Sequence, residues 1–152
     1  MEIRRARSHE VDVVRAVVDE AYSPYVARIG IRPGPMDEDY VAKLDDGLVD
    51  VAEIDGEVIG LIVLSDDGHT LLVENVAVRP AFHGRGVGRA LLAHADRIAV
   101  QRGLPGLRLY THVAMTENIA LYERLGWRET ERRTEHGFTR VFFAKPTEAD
   151  GA

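Results

Sequence analysis

Cysteine is absent from the 152-residue chain. That excludes disulfides, thiolate metal ligands and a cysteine nucleophile, and it suits a reducing cytoplasm. Nowhere does an apolar run approach the roughly 20 residues of a membrane span. The arginines at positions 4, 5 and 7 are followed by no such run either, so no secretory signal is read. Basic residues are in deficit, 19 against 25 acidic, for a net charge of −6. This argues against nucleic acid as a partner and favours a cationic one. The six histidines show no His-x-x-x-His spacing, and no metal is expected. A soluble cytoplasmic protein is the resulting expectation.

What is present fits one domain with one core: 45% of residues are hydrophobic and 29% charged. A short strand is expected over 3–6. Ser8 reads as an N-cap with Glu10 in the first turn. Val11, Val14, Val18 and Ala21 recur at helical spacing until Pro24 stops the helix. Residues 22–40, with Pro24, Pro33 and Pro35 and two glycines among them, read as an irregular loop with a short helix beginning near Asp37. Strands follow over 48–54 and 58–64 around an Asp55-Gly56-Glu57 turn, and over 71–78 after Asp66-Asp67-Gly68. The spacing of Val87, Leu91, Ala95 and Ile98 predicts a helix over 86–102, with Gly103 as its stop. Then come a strand over 107–110, a helix over 116–125 ending at Gly126, and strands over 127–132 and 138–144 joined through His136-Gly137. Residues 146–152 read as a frayed polar tail. One strand–helix–strand unit implies local parallel pairing, and the hairpins imply antiparallel pairing elsewhere. The fold class is α/β (α+β): a mixed, mostly antiparallel sheet of six to seven strands with helices on both faces.

Two stretches carry chemistry. In the first, the strand Val76-Ala77-Val78 runs through Arg79-Pro80 into His83-Gly84-Arg85-Gly86-Val87-Gly88-Arg89, which opens a helix. Free N–H groups and the positive end of that helix make an anion site. Glycines admit a diphosphate close to the backbone, and Arg85 and Arg89 add charge-assisted contacts. The dinucleotide fingerprint fails, because the sixth position counted from Gly84 is Arg89, and no Gly-Lys-Ser/Thr P-loop is present. A plain strand-to-helix turn is the bland alternative. In the second stretch, Asn118 and Tyr122 stand four apart on one helix face beside Leu121 and Leu125. By periodicity alone Tyr122 is a half-buried packing residue and Asn118 a cap or surface residue.

Together these stretches resemble the GNAT superfamily of N-acetyltransferases, and the resemblance runs from about residue 1 to residue 145. The family's Gln/Arg-x-x-Gly-x-Gly/Ala motif is matched at Gly86 and Gly88, with His83 in the first position. Its Asn-x-x-Ala-x-x-x-Tyr-x-x-x-Gly-Phe signature resembles the run from Asn118 through Tyr122 and Gly126 to Trp127. The resemblance implies a single domain over 1–145 with a central V-shaped splay in the sheet. It implies acetyl-CoA as cosubstrate, its pantetheine arm paired with Val76 to Val78 and its pyrophosphate on the amides from His83 to Arg89, with Asn118 contacting the arm. It also implies an oxyanion donor at the Val76 N–H, Tyr122 as the acid that protonates the departing thiolate, and a homodimer.

With no cysteine and no Ser-His-Asp pattern, direct attack by an amine is the economical route. A phenol suits the acid's role, since its reference pKa of about 10 exceeds a thiol's 8.5 or so. Glu74, alternating with Leu72, Val76 and Val78 on one strand face, is the candidate base; a solvated or arginine-paired carboxylate is the alternative. Tyr22, Tyr25, Arg28, Arg32, Met36 and Tyr40 fall where the family has its acceptor loop, with His112, Glu135 and His136 as further acceptor contacts. Other readings are a non-catalytic acyl-CoA-binding module and a nucleotide-binding protein.

Overall fold

The computed structural model describes residues 1–148. Its elements are β1 (Glu2–Arg5), α1 (Val11–Ile29), α2 (Tyr40–Asp45), β2 (Val49–Ile54), β3 (Glu57–Asp66), β4 (Thr70–Val78), α3 (Val87–Gln101), β5 (Gly106–His112), α4 (Thr116–Arg124), β6 (Arg128–Glu135) and β7 (Phe138–Pro146). Seven strands are hydrogen-bonded in the order β1-β2-β3-β4-β5-β7-β6. β4 and β5 pair in parallel, whereas β1–β2, β2–β3, β5–β7 and β6–β7 are antiparallel. The mixed, mostly antiparallel sheet and its order of elements agree with the sequence reading.

Backbone packing groups the chain into two compact units, Met1–Leu64 with Asn75–His94, and Ser65–Glu74 with the chain from Ala95 onward. In the first, β3 is buried without a break from Val58 to Leu64. Successive strand residues point to opposite faces, so both faces of β3 are covered. α1 contributes Val14, Val17, Val18 and Tyr22 to that core. Gly60 lets β3 lie close to its cover: a Cβ there would meet the Ala77 carbonyl at 3.0 Å and the Val87 and Leu91 side chains at 3.3 and 3.4 Å. The β2–β3 hairpin turns through Asp55 and Gly56, both at positive φ (52° and 82°), the type I′ geometry that an Asp-Gly pair favours.

The second unit packs α4 and the inner face of β5 and β7, with Leu107, Leu109, Trp127, Val141 and Phe143 all buried. Its outermost strand, β6, is exposed along nearly its whole length and reads Arg-Glu-Thr-Glu-Arg-Arg-Thr-Glu. Such charge on an edge strand discourages pairing with another chain.

Four expectations are corrected. Pro24 does not end the first helix; it lies inside α1, which runs to Ile29 and closes at Gly30 (φ 89°), whose N–H donates to the Val26 carbonyl at 2.9 Å. Pro24 is on the exposed side, where the lost bond to the Glu20 carbonyl opens to water, while the buried side stays anchored. Residues 22–40 are consequently not one loop: besides the end of α1 they hold a 3-10 turn, Gly34–Asp37. Ser8 does not cap α1 either. It opens a separate 3-10 turn, Ser8–Glu10, and the Glu10 carboxylate is taken up by the Arg7 N–H at 2.7 Å and the Arg4 guanidinium at 2.8 and 2.9 Å. Nor is the tail frayed at its start. Thr147 bonds the carbonyls of Pro105 and Leu104 at 2.9 and 2.6 Å, and the Glu148 N–H reaches Asp96 at 3.1 Å. The rest of the expected tail, 149–152, lies outside the described residues.

Candidate active site

In the first unit β4 leads into the glycine loop from a fixed point. The Arg79 N–H donates to the Ile59 carbonyl at 2.9 Å and its Nε to the Val58 carbonyl at 2.9 Å. Its guanidinium also pairs with Glu20. A 3-10 turn, Pro80–Phe82, follows. His83 then folds back, its Nε2 donating to the Val78 carbonyl at 3.0 Å. Gly84 and Gly86 both take positive φ, 77° and 78°, which a side chain resists. A Cβ at either would meet nothing within 4 Å, so backbone conformation, not crowding inside the protein, is what calls for glycine here.

The first helical donor beyond the loop is the Ala90 N–H, to the Gly86 carbonyl at 3.0 Å. The amides of Val87, Gly88 and Arg89 precede it, in the turn where an α-helix offers donors without internal acceptors. Arg85 lies over the Phe82 ring at 5.1 Å. Among the described residues no carboxylate pairs with Arg85 or Arg89, and both are exposed. Amides ahead of the first helical bond, a helix N-terminus and two exposed guanidinium groups are the features by which proteins generally hold an anion.

On β4 the side chains alternate. Leu71, Val73, Asn75 and Ala77 are buried; Leu72, Glu74, Val76 and Val78 are half-buried on the other face. Glu74 therefore shares a face with Val76 as expected. Asn75 escaped the sequence reading. It is one of two buried polar residues among the described residues, 7% exposed, accepting from the Tyr22 hydroxyl at 2.5 Å and donating to the Tyr40 hydroxyl at 3.2 Å. Tyr40 in turn donates to the Pro35 carbonyl at 2.5 Å, and Tyr22 also reaches the Val76 carbonyl at 3.3 Å. An asparagine amid alternating valines was the available signal, because such a side chain is not buried without partners.

The expected acceptor-loop residues thus divide. Tyr22 and Tyr40 are buried and tied to β4. Tyr25 and Arg28 stack, guanidinium to ring, at 4.9 Å on α1. Arg32 pairs with Asp37 at 2.9 Å, and half-buried Met36 lies in the 3-10 turn.

In the second unit Tyr122 is 4% exposed, its ring 5.7 Å from Phe143 and 6.2 Å from Trp127. Asn118 turns its amide back to the Met115 sulfur at 3.7 Å. Met115 is the residue just before α4 and stands seven before Tyr122, where the family signature has its asparagine; Asn118 stands only four before it. The match at Asn118 is therefore one of composition and not of register. His112 takes the Ala114 N–H on Nδ1 at 3.0 Å. Burial, and then the charge of Arg140, hold its pKa below the usual imidazole range. Glu135 lies 3.7 Å from Arg133, and His136 sits exposed in the β6–β7 turn at φ 51°. Among the described residues no group of three or more His, Asp or Glu is placed to hold a metal ion, and no helix is long and apolar enough to cross a membrane.

Residues 14–127 match the model of the Acetyltransferase (GNAT) family. Among solved structures, the chain is similar to the PaiA N-acetyltransferase of Thermoplasma acidophilum in complex with coenzyme A, at 19% identity and TM-score 0.79 over 93% of this chain and 96% of that one. It is also similar to the ribosomal-protein-S18-alanine N-acetyltransferase of Escherichia coli, at 20% identity and TM-score 0.80 over 99% and 96%. Nourseothricin acetyltransferase shares 29% identity over 66% of this chain and 65% of that one, with a TM-score of 0.61.

Proposed function

Because the chain belongs to the GNAT acetyltransferase family, we propose that it transfers an acetyl group from acetyl-CoA to a primary amine by direct attack, within one domain spanning 1–145. The observation that carries this reading is the strand–loop–helix segment, where two positive-φ glycines present consecutive amides and two free arginines to an anion. The pyrophosphate of acetyl-CoA is the anion proposed for it, on His83, Gly84, Arg85, Gly86, Val87, Gly88 and Arg89. The pantetheine arm is assigned to Val76, Ala77 and Val78, and Asn118 is kept as a further contact. The PaiA relative, solved with coenzyme A, supports the choice of ligand.

In this reading the amine nitrogen attacks the thioester carbon, and the Val76 N–H takes the developing oxyanion. The carbon–sulfur bond breaks, Tyr122 gives its phenolic proton to the thiolate, and Glu74, directly or through water, takes the proton the amine loses. Tyr25, Arg28 and Met36 are assigned to the acceptor, with Tyr22 behind them as support for β4. The acceptor is a small-molecule amine or a protein amino group.

One observation favours a second reading. The near-complete burial of Tyr122 between Phe143 and Trp127 suits a packing residue, and a domain without a working acid would be a non-catalytic acyl-CoA-binding module. Calorimetric titration of acetyl-CoA, with ATP alongside, tests the binding step common to both. Selective binding that Gly86→Glu abolishes in a folded protein supports the loop assignment; unchanged affinity rejects it. Release of free thiol with an amine panel then separates the readings. An active enzyme whose Tyr122→Phe variant turns over as fast as the parent would make Tyr122 packing alone.

A further inference from the structure

The second unit carries an open groove of about 400 Å³ along β5, β7 and β6, lined in part by Arg108, Tyr110, Arg133, Arg140 and Phe142. Strand register builds it. Tyr110 is paired with Phe142, His112 with Arg140, and Arg140 in turn with Arg133, and directly paired residues share a face. The Tyr110 and Phe142 rings lie 5.5 Å apart. Arg133 covers Phe142 at 4.2 Å, and Arg140 lies 4.9 Å from the Tyr110 ring and 5.3 Å from Phe138.

The charges along this face are unevenly matched. Arg108 is paired with Asp67 at 3.4 Å, and Arg133 with Glu131 at 3.4 Å and Glu135 at 3.7 Å. Arg140 has no carboxylate partner and no hydrogen-bond acceptor among the described residues. It stands instead between His112 and a second guanidinium, and like charges directly opposite across strands are destabilising. His112 registers the imbalance, since the charge of Arg140 is one cause of its lowered pKa. An anion at Arg140 would offset the like charge of Arg133 opposite it. A guanidinium lying over aromatic rings keeps its planar edge of N–H donors for a carboxylate. The groove has the volume of a small-molecule site.

We propose that this groove binds a small carboxylate with a flat apolar body, the carboxylate on Arg140 and the body against Tyr110 and Phe142. Such a ligand has two sources: the acceptor itself, as an amine that also bears a carboxylate, or a separate molecule. The first rests on the acetyl-transfer reading above, whereas the binding site does not.

The test begins with NMR titrations of benzoate, benzamide and acetate into the full chain. Benzoate should perturb the Tyr110 and Phe142 ring signals and bind at least about tenfold more tightly than either control. Arg140→Gln should weaken benzoate about tenfold and leave benzamide unchanged, with Arg140→Lys in between. Acetyl transfer to 4-(aminomethyl)benzoate and to benzylamine then distinguishes the sources. A kcat/KM preference for the carboxylate that Arg140→Gln removes makes the ligand the acceptor; benzoate binding without that preference makes it a separate molecule. Equal affinity of parent and Arg140→Gln for benzoate overturns the proposal. So does a concentration-dependent dimer that Arg140→Gln dissolves while benzoate fails to bind, because the occupant is then a second copy of the chain.

Discussion

Asn75→Leu should lower stability by about 2 kcal/mol and Tyr22→Phe by about 1–2 kcal/mol, yet the double variant should lose at least about 1 kcal/mol less than their sum. Asn75 accepts from Tyr22 at 2.5 Å and donates to Tyr40 at 3.2 Å, so the leucine variant loses two bonds. Leucine is close to asparagine in size, and the cavity cost is small. The loss stays near 2 kcal/mol because each tyrosine keeps an acceptor: Val76 at 3.3 Å for Tyr22 and Pro35 at 2.5 Å for Tyr40. Tyr22→Phe, by contrast, takes the donor from a buried amide oxygen, which costs more than the bond itself. Once Asn75 is gone that second cost vanishes, and this produces the non-additivity. Urea unfolding of the four proteins, compared by midpoint at constant m-value, measures it. Losses that add to within about 0.3 kcal/mol would refute the claim that these residues act as one network.

Gly60→Ala should destabilise by about 1–3 kcal/mol, because its Cβ would enter at 3.0 Å from the Ala77 carbonyl; a thermal midpoint equal to the parent's would contradict the close packing of β3. At Gly84, with nothing within 4 Å but φ at 77°, alanine should cost only the backbone strain of about 1–2 kcal/mol. Pro24→Ala should stabilise by about 1–3 kcal/mol, since a donor returns to the Glu20 carbonyl and only part of the gain is offset by the freer unfolded chain; a lower midpoint would mean that α1 depends on the proline. Glu10 has its pKa drawn from 4.5 to about 2, first by the Arg4 hydrogen bond, against burial, and with help from the Arg7 amide. A depressed folded-state pKa gives stability that is present above pH 4.5 and lost as pH falls toward about 2. The difference is about 3 kcal/mol unscreened and about 1–2 kcal/mol with solvent screening. Glu10→Gln should therefore flatten stability against pH in that window, and an unchanged acid slope would remove Glu10 as its cause.

Much of the fold was legible because its signals are local. Asp55-Gly56 names its own turn, the alternation in β4 names its two faces, and the apolar spacing from Val87 names α3. The glycine loop was legible for the same reason. Pro24 misled because a breaker rule weighs one lost hydrogen bond, whereas that bond is lost on the exposed side of α1 and the helix carries on to Ile29, closing where the Gly30 N–H donates to the Val26 carbonyl. Asn118 misled in register: the residue type matched the signature, but Met115 holds the position. The meeting of Arg140 with Arg133 and His112 could not be read at all, because it depends on which residues three strands set opposite one another.

Arg79 has a mechanical consequence. Its main chain, Nε and terminal guanidinium nitrogen are attached to β3 at two carbonyls and to α1 at Glu20, and the first helical donor after it is Ala90. Whatever swing the glycines permit is therefore a motion about a pinned end, confined to the residues between. Amide exchange should record this as a step, slow at Arg79 and fast from Gly84 to Gly88. A ligand seated on those amides would erase the step without altering the strand before it.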